Sequence, residues 1–139
     1  MKIAEALQMS EGDAEIWPLS VEAYHALSEA GLIPKRTELL YGFVYHKLAK
    51  SPLHSSLVQS LQGQLRSALS PEFLVRTEQP ITCADSEPEP DLAVVRGKIA
   101  DFRLVHPRTA ELVIEVCVTS ADYDHSKLRA YTRTRVKEC

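Results

Sequence analysis

A Pro90-Asp91 pair opens one apolar run, Asp91-Leu-Ala-Val-Val, and Glu115 stands in the middle of a second, Glu111-Leu-Val-Ile-Glu-Val-Cys-Val. Each acid has an ordinary use: Asp91 as a turn cap, Glu115 as a solvent-facing residue on a half-polar sheet. However, the neighbours of Glu115 on its own strand face are Val113 and Cys117, residue types of a buried surface. An ionised carboxylate is costly there unless it is paired or holds a cation. Two carboxylates on adjacent strands suit a hard divalent ion, Mg2+ or Mn2+, which takes oxygen ligands and keeps several waters. Such an ion generates a nucleophilic water and offsets charge on a phosphoryl oxygen, which directs the chemistry at phosphate esters. A lysine beside it stabilises the same charge. Lys127, in the segment directly after the Glu115 strand, is the candidate.

Charge narrows the range of partners. Sixteen Lys and Arg against nineteen Asp and Glu give a net charge of -3, so the chain does not coat nucleic acid by charge alone. Its bases are concentrated at one end: Lys127, Arg129, Arg133, Arg135 and Lys137 follow one another with no acid between them. This stripe is either a solvated face or a set of phosphate contacts, with Arg129, Arg133 and Arg135 as the nucleic-acid candidates. The segment from Glu78 to Asp91 holds five acids and no base, and is either solvated or a metal site. Cys83, Cys117 and Cys139 form no C-x-x-C pair, and the five histidines show no H-x-x-x-H spacing, which argues against a disulfide framework and a zinc knuckle. Walker, G-x-S-x-G and G-x-G-x-x-G motifs are lacking. No window reaches the roughly 18 apolar residues of a membrane span, and the N-terminus lacks the apolar centre of a secretion signal. The expected location is cytoplasmic, with no membrane partner.

The elements that must position these residues are legible in outline. At 139 residues, with 45% hydrophobic and 25% charged, the chain fits one globular domain. Ser20 as N-cap and Gly31 after the last turn bracket a helix over Val21 to Ala30, and Pro34 follows it. The aromatic and β-branched run from Glu38 to Leu48 predicts a strand or tight hairpin bending at Gly42. Ser51-Pro52 opens a longer helix whose apolar stripe is Leu57, Val58, Leu61, Leu65, Ala68 and Leu69. Strands are expected over Phe73 to Ile81, Asp91 to Val95 and Glu111 to Val118. In the last, Leu112, Ile114, Val116 and Val118 form the face turned to a core. Thr119 and Asp122 resemble a capping box for a final helix over about Ala121 to Arg133. His54, in the first turn of the long helix, reads as a cap or surface residue before it reads as part of a site. Glu89, flanked by prolines, reads as a turn residue with a possible supporting role, and Tyr131 as packing.

These segments together resemble a known family. Ser20-Val-Glu-Ala-Tyr-His-Ala-Leu, Glu38-Leu-Leu-Tyr-Gly, Ser51-Pro-Leu-His, Glu87-Pro-Glu-Pro-Asp-Leu-Ala-Val-Val, Leu112-Val-Ile-Glu-Val-x-Val-Thr-Ser and Asp124-x-x-Lys-x-x-x-Tyr are similar, in order and spacing, to the Uma-two family of restriction-endonuclease-like proteins in the PD-(D/E)XK superfamily. The resemblance implies an α/β restriction-endonuclease-like core, α-β-β-β-α-β, with a mixed sheet flanked by helices. It divides the chain into an N-terminal extension, 1–18, and the domain, 19–139. It implies a divalent-metal-dependent endonuclease hydrolysing phosphodiester bonds in DNA, with Asp91 and Glu115 as metal-binding acids, Glu38 as a further acid from upstream and Lys127 as the catalytic lysine. The superfamily's usual lysine would stand two residues after Glu115, where this chain has Cys117; the family pattern moves it to the next helix. The pattern also continues past residue 139 with a further strand. Its absence would leave an edge of the Glu111–Val118 strand open and favour a two-fold homodimer. The alternatives are a catalytically inactive nuclease fold acting as a binding or regulatory module, and a structural ion-pair network around Lys127.

Overall fold

The structure is a computed structural model that describes residues 15–118 together with Lys127, Ala130 and Tyr131. Its order is helix α1 (Val21–Glu29), strands β1 (Thr37–Leu40) and β2 (Phe43–His46), helix α2 (Pro52–Ala68), strands β3 (Phe73–Thr77) and β4 (Leu92–Arg96), a 3-10 turn (Ile99–Phe102) and strand β5 (Leu112–Ile114). The architecture is the expected α/β one, although both described sheets are antiparallel throughout: β1 with β2, and β3-β4-β5. The proposed 1–18 extension, the capping box at Thr119 and Asp122, and Arg129, Arg133 and Arg135 fall largely or wholly outside the described residues.

Local chemistry accounts for the element ends. The Ser20 side chain accepts from the Ala23 N–H at 3.1 Å and starts α1, and Gly31, at φ +71°, follows its last turn. Tyr41 and Gly42, both at positive φ, join β1 to β2 in a two-residue hairpin. Gly42 is obligatory for a second reason: a Cβ there would collide with Pro18, whose neighbour Leu19 donates its N–H to the Gly42 carbonyl. Ser51 caps α2 through the His54 N–H, with Pro52 in the first turn.

Three boundaries differ from the sequence expectation. Strand β3 stops at Thr77 rather than Ile81 because Glu78 takes a positive φ of 50°, which breaks the extended chain. In α2, Leu57 and Ala68 turn outward; the buried face is Val58 with the partly buried Leu61, Leu65 and Leu69. Strand β5 is three residues long rather than eight, because its partner β4 begins at Leu92, opposite Ile114. The next N–H available on that side, Val116, is taken by the Asp91 carboxylate at 2.7 Å instead of by a ladder carbonyl.

The three-stranded sheet is covered on both faces. On one side, Leu112, Ile114 and Val116 pack with Val75, Leu92 and Val94 against Val58 of α2, as the strand pattern predicts, while Val118 is exposed. On the other side, Val113 packs with Ala93, Val95, Ile81 and Cys83 beneath Ala130 and Tyr131. The face that carries Glu115 is therefore also a buried one. A separate cluster of Val21, Tyr24 and Leu39 fastens α1 to the hairpin.

Candidate active site

Four segments converge on Glu115. Strand β1 supplies Glu38, the Pro-rich segment before β4 supplies Asp91, the chain just past β5 supplies Glu115 itself, and a helical segment supplies Lys127 and Tyr131. That helix is pinned to the hairpin by Ala130, whose N–H donates to the Tyr41 hydroxyl at 3.1 Å. Lys127 and Tyr131 are four residues apart, so they project from one helix face. Glu38, Asp91 and Lys127 are all at or below 4% exposure, which for charged groups requires partners.

Those partners are present. The Lys127 ammonium lies 3.1 Å from Glu38 Oε1 and 3.2 Å from Glu115 Oε1. The Tyr131 hydroxyl donates to the same Glu115 oxygen at 2.7 Å. Glu38 Oε2 accepts from the Glu89 N–H at 2.8 Å, and Glu115 Oε2 takes a longer 3.4 Å contact from the Asp91 N–H. Asp91 Oδ2 accepts from the Val116 N–H and lies 3.0 Å from His54 Nε2, while Oδ1 accepts from Lys50 Nζ at 2.9 Å. The Glu89 side chain pairs with Lys47 at the rim.

The two central acids have opposite electrostatic settings. Burial pushes the Asp91 carboxyl up, but the Val116 N–H, Lys50 and His54 outweigh it and hold the group below the usual carboxylate range. Burial raises Glu115 more than Lys127 and Tyr131 lower it, and the nearby Asp91 charge adds to the rise, to about 7. Burial lowers the Lys127 ammonium, but Glu115 and Glu38 reverse the effect and raise it above the ordinary lysine value. Burial and then Glu115 drive the Tyr131 hydroxyl upward, so it stays a protonated donor.

A raised carboxyl has a consequence for stability. The folded state holds a proton on Glu115 that the unfolded state releases near 4.5, so this group's contribution to stability falls as pH rises from about 4.5 to about 7. Glu115→Gln removes that term. The difference in unfolding free energy between Glu115→Gln and wild type is expected to move in the variant's favour by about 3 kcal/mol between pH 4.5 and 8 without metal, read from denaturant melts at both pH values. Equal slopes for the two proteins would contradict this. Tyr131→Phe leaves one buried Glu115 oxygen with a single charged partner and is expected to cost about 2 kcal/mol in the same melts.

The structure thus brings together Asp91, Glu115, Glu38 and Lys127, and adds His54, which the sequence reading favoured as a cap or surface residue. His54 is 7% exposed because it continues the α2 face of Val58, Leu61 and Leu65 toward the N-terminus, a spacing visible in the sequence. Glu89, read as a turn residue, is partly buried and paired with Lys47. Two residues near the acids were missed. Lys50 lies in an irregular stretch with no pattern to mark it, and Tyr131, assigned to packing, does pack but also holds Glu115. Cys117 is exposed, so the usual lysine position contributes no buried cation.

A divalent ion fits the chemistry of this donor set. Asp91 and Glu115 are adjacent hard oxygen donors, and an ion that keeps most of its waters needs only one or two carboxylates. Among the described residues, no group of three or more His, Cys, Asp or Glu side chains is assembled for a metal, and Glu38 is turned to Lys127 and the Glu89 N–H.

The fold matches a solved one: the structure superposes with a TM-score of 0.65 on the crystal structure of a "putative nuclease belonging to DUF820" from Anabaena variabilis ATCC 29413, at 16% identity, covering 84% of this chain and 69% of that one. The chain itself belongs to the Uma2 family, described as "Putative restriction endonuclease", which matches residues 21–139. No curated protein matches it. Among the described residues, no helix is long and apolar enough to cross a membrane.

Proposed function

We propose that the chain is a divalent-metal-dependent endonuclease that hydrolyses phosphodiester bonds in DNA, with Asp91 and Glu115 holding Mg2+ or Mn2+. The observation that carries this reading is the buried Lys127 ammonium lying against Glu115, beside Asp91, in a chain of a restriction-endonuclease family. The ion, when bound, supplies a Lewis acid for a phosphoryl oxygen and lowers the pKa of a water. The remaining tasks belong to the protein. Lys127 and Tyr131 hold Glu115 Oε1, which leaves Oε2 with only the long Asp91 N–H contact. Val116, His54 and Lys50 fix the Asp91 carboxylate in its ionised form. Glu38 holds Lys127 and keeps it charged, so that the ammonium offsets negative charge developing on the phosphate. Arg129, Arg133 and Arg135 contact flanking phosphates, where each adds salt-sensitive affinity without sequence preference.

Incubation of supercoiled plasmid and single-stranded DNA with Mg2+, Mn2+ or EDTA tests the reading. Nicking that requires the ion and disappears in Glu115→Gln is expected. One observation favours a second reading, a nuclease fold that binds without cleaving: Asp91 and Glu38 already have partners on both carboxylate oxygens. Retained DNA binding with no cleavage under either ion would select it. A two-fold homodimer in the cytoplasm belongs to the same proposal. Sedimentation at several concentrations measures it.

A further inference from the structure

Among the described residues, Arg76 is the most anomalous charge. It lies on β3 at 5% exposure, and none of the ion pairs among the described residues includes it. Its Nε is buried with no hydrogen-bond partner, and Nη2 reaches only the Pro80 carbonyl and His106 Nδ1, each at 3.4 Å, beyond the usual range. Neither supplies a counter-charge: a backbone carbonyl is uncharged, and burial lowers the His106 imidazole below its ordinary value. The contrast with Arg96 on the neighbouring strand is sharp: that guanidinium is 57% exposed and faces two carboxylates, Glu72 and Glu111. The ring of Phe102 lies 5.3 Å from the Arg76 guanidinium carbon, but a cation–π contact is weaker than the cost of desolvating an unpaired cation.

Beside Arg76 there is room for a counter-charge. Arg76 borders a cleft of about 220 Å3 together with Arg66 of α2, Leu74, Val75, Gln79, Ile99 and Phe102, and no acid lines it. The volume falls below the roughly 300 Å3 of pockets for drug-sized ligands, so it suits a small group and not a whole nucleotide. Two guanidiniums and an amide are donors of the kind that grip a tetrahedral oxyanion. The cleft shares no residue with the acid–lysine cluster.

We propose that Arg76 and Arg66 form a binding site for a phosphate group in this cleft, apart from the candidate active site. The group is either a free phosphate ion or the terminal phosphate of a nucleic-acid strand, and Arg76 supplies the buried charge while Arg66 closes the cleft from α2. The inference does not depend on the nuclease reading, and its test requires no cleavage.

Thermal melts in EDTA provide that test. Inorganic phosphate in large excess is expected to raise Tm by on the order of 8 °C over potassium chloride or acetate at equal ionic strength. Arg66→Gln, at an exposed position, is expected to keep the wild-type melt and lose most of the phosphate response. Arg76→Met, which removes an unpaired buried charge, is expected to melt higher than wild type in chloride and to lose the response entirely. A tetranucleotide with a 5′ phosphate is compared with its 5′-hydroxyl form. A stronger shift from the phosphorylated form, absent in Arg66→Gln, assigns the site to strand ends, and equal shifts assign it to the free ion. A wild-type response to phosphate no larger than that to chloride overturns the proposal, as does a full response in Arg66→Gln or Arg76→Met. If Arg76→Met does not fold, Arg66→Gln alone decides.

Discussion

Lys127→Met is expected to slow Mg2+- or Mn2+-dependent cleavage of DNA by about 10²–10³-fold, the loss typical of removing one donor to transition-state charge. The same change leaves Glu38 and Glu115 facing each other without their shared cation, and breaking a buried pair on one side costs about 3–5 kcal/mol. Two readouts therefore separate the roles of this residue. A denaturant melt without metal reports the ion-pair loss, and single-turnover cleavage at saturating Mn2+ reports the rate. The Mn2+ affinity of the variant is expected to stay at or above the wild-type value, because the ammonium no longer competes for Glu115. Lys127→Arg is not expected to restore the rate, since a planar fork does not reproduce a compact ammonium held between two carboxylates. A Lys127→Met protein that unfolds more easily but cleaves at the wild-type rate would reduce Lys127 to a structural cation.

Asp91→Asn is expected to lower Mn2+ affinity by at least about 100-fold, more than the loss of an outer-shell partner causes. The substitution keeps an oxygen for the Val116 N–H but removes the charge facing Lys50 and His54. In wild type, Mn2+ should raise Tm in proportion to the logarithm of its concentration once the site is filled. In Asp91→Asn the rise should vanish over the same range. A variant that still gains Tm with Mn2+ as wild type does would place the ion away from Asp91.

The sequence carries the fold further than it carries the site. The α1 and α2 starts are readable because Ser20 and Ser51 cap them and Pro52 fits only a first turn. The hairpin is readable because Gly42 follows an aromatic and β-branched run. The ends of β3 and β5 are not, since they depend on a positive φ at Glu78 and on a side chain, Asp91, taking over a backbone hydrogen bond at Val116. Period-two spacing puts Glu115 on the face of Val113, and the costliness of a buried carboxylate marks it as a site candidate. Lys127 was reached from its place just after the Glu115 strand and Glu38 through the family pattern, and the structure shows the physical link between them: one ammonium bonded to acids from β1 and from the end of β5. Lys50 and Tyr131 were missed because long-range contacts between an irregular loop, a strand end and a helix leave no local periodicity. Arg76 was missed for the opposite reason, since an arginine within a short strand ordinarily reads as solvent-facing.

A divalent ion shared by Asp91 and Glu115 is visible in a crystal of the protein soaked in Mn2+ and measured at the manganese absorption edge. The expected result is one anomalous peak per chain within about 2.3 Å of oxygens from both carboxylates, lost in crystals of Asp91→Asn. Absence of a peak at saturating Mn2+, with Lys127 still lying between Glu38 and Glu115, would contradict the claim and leave the cluster as an ion-pair network.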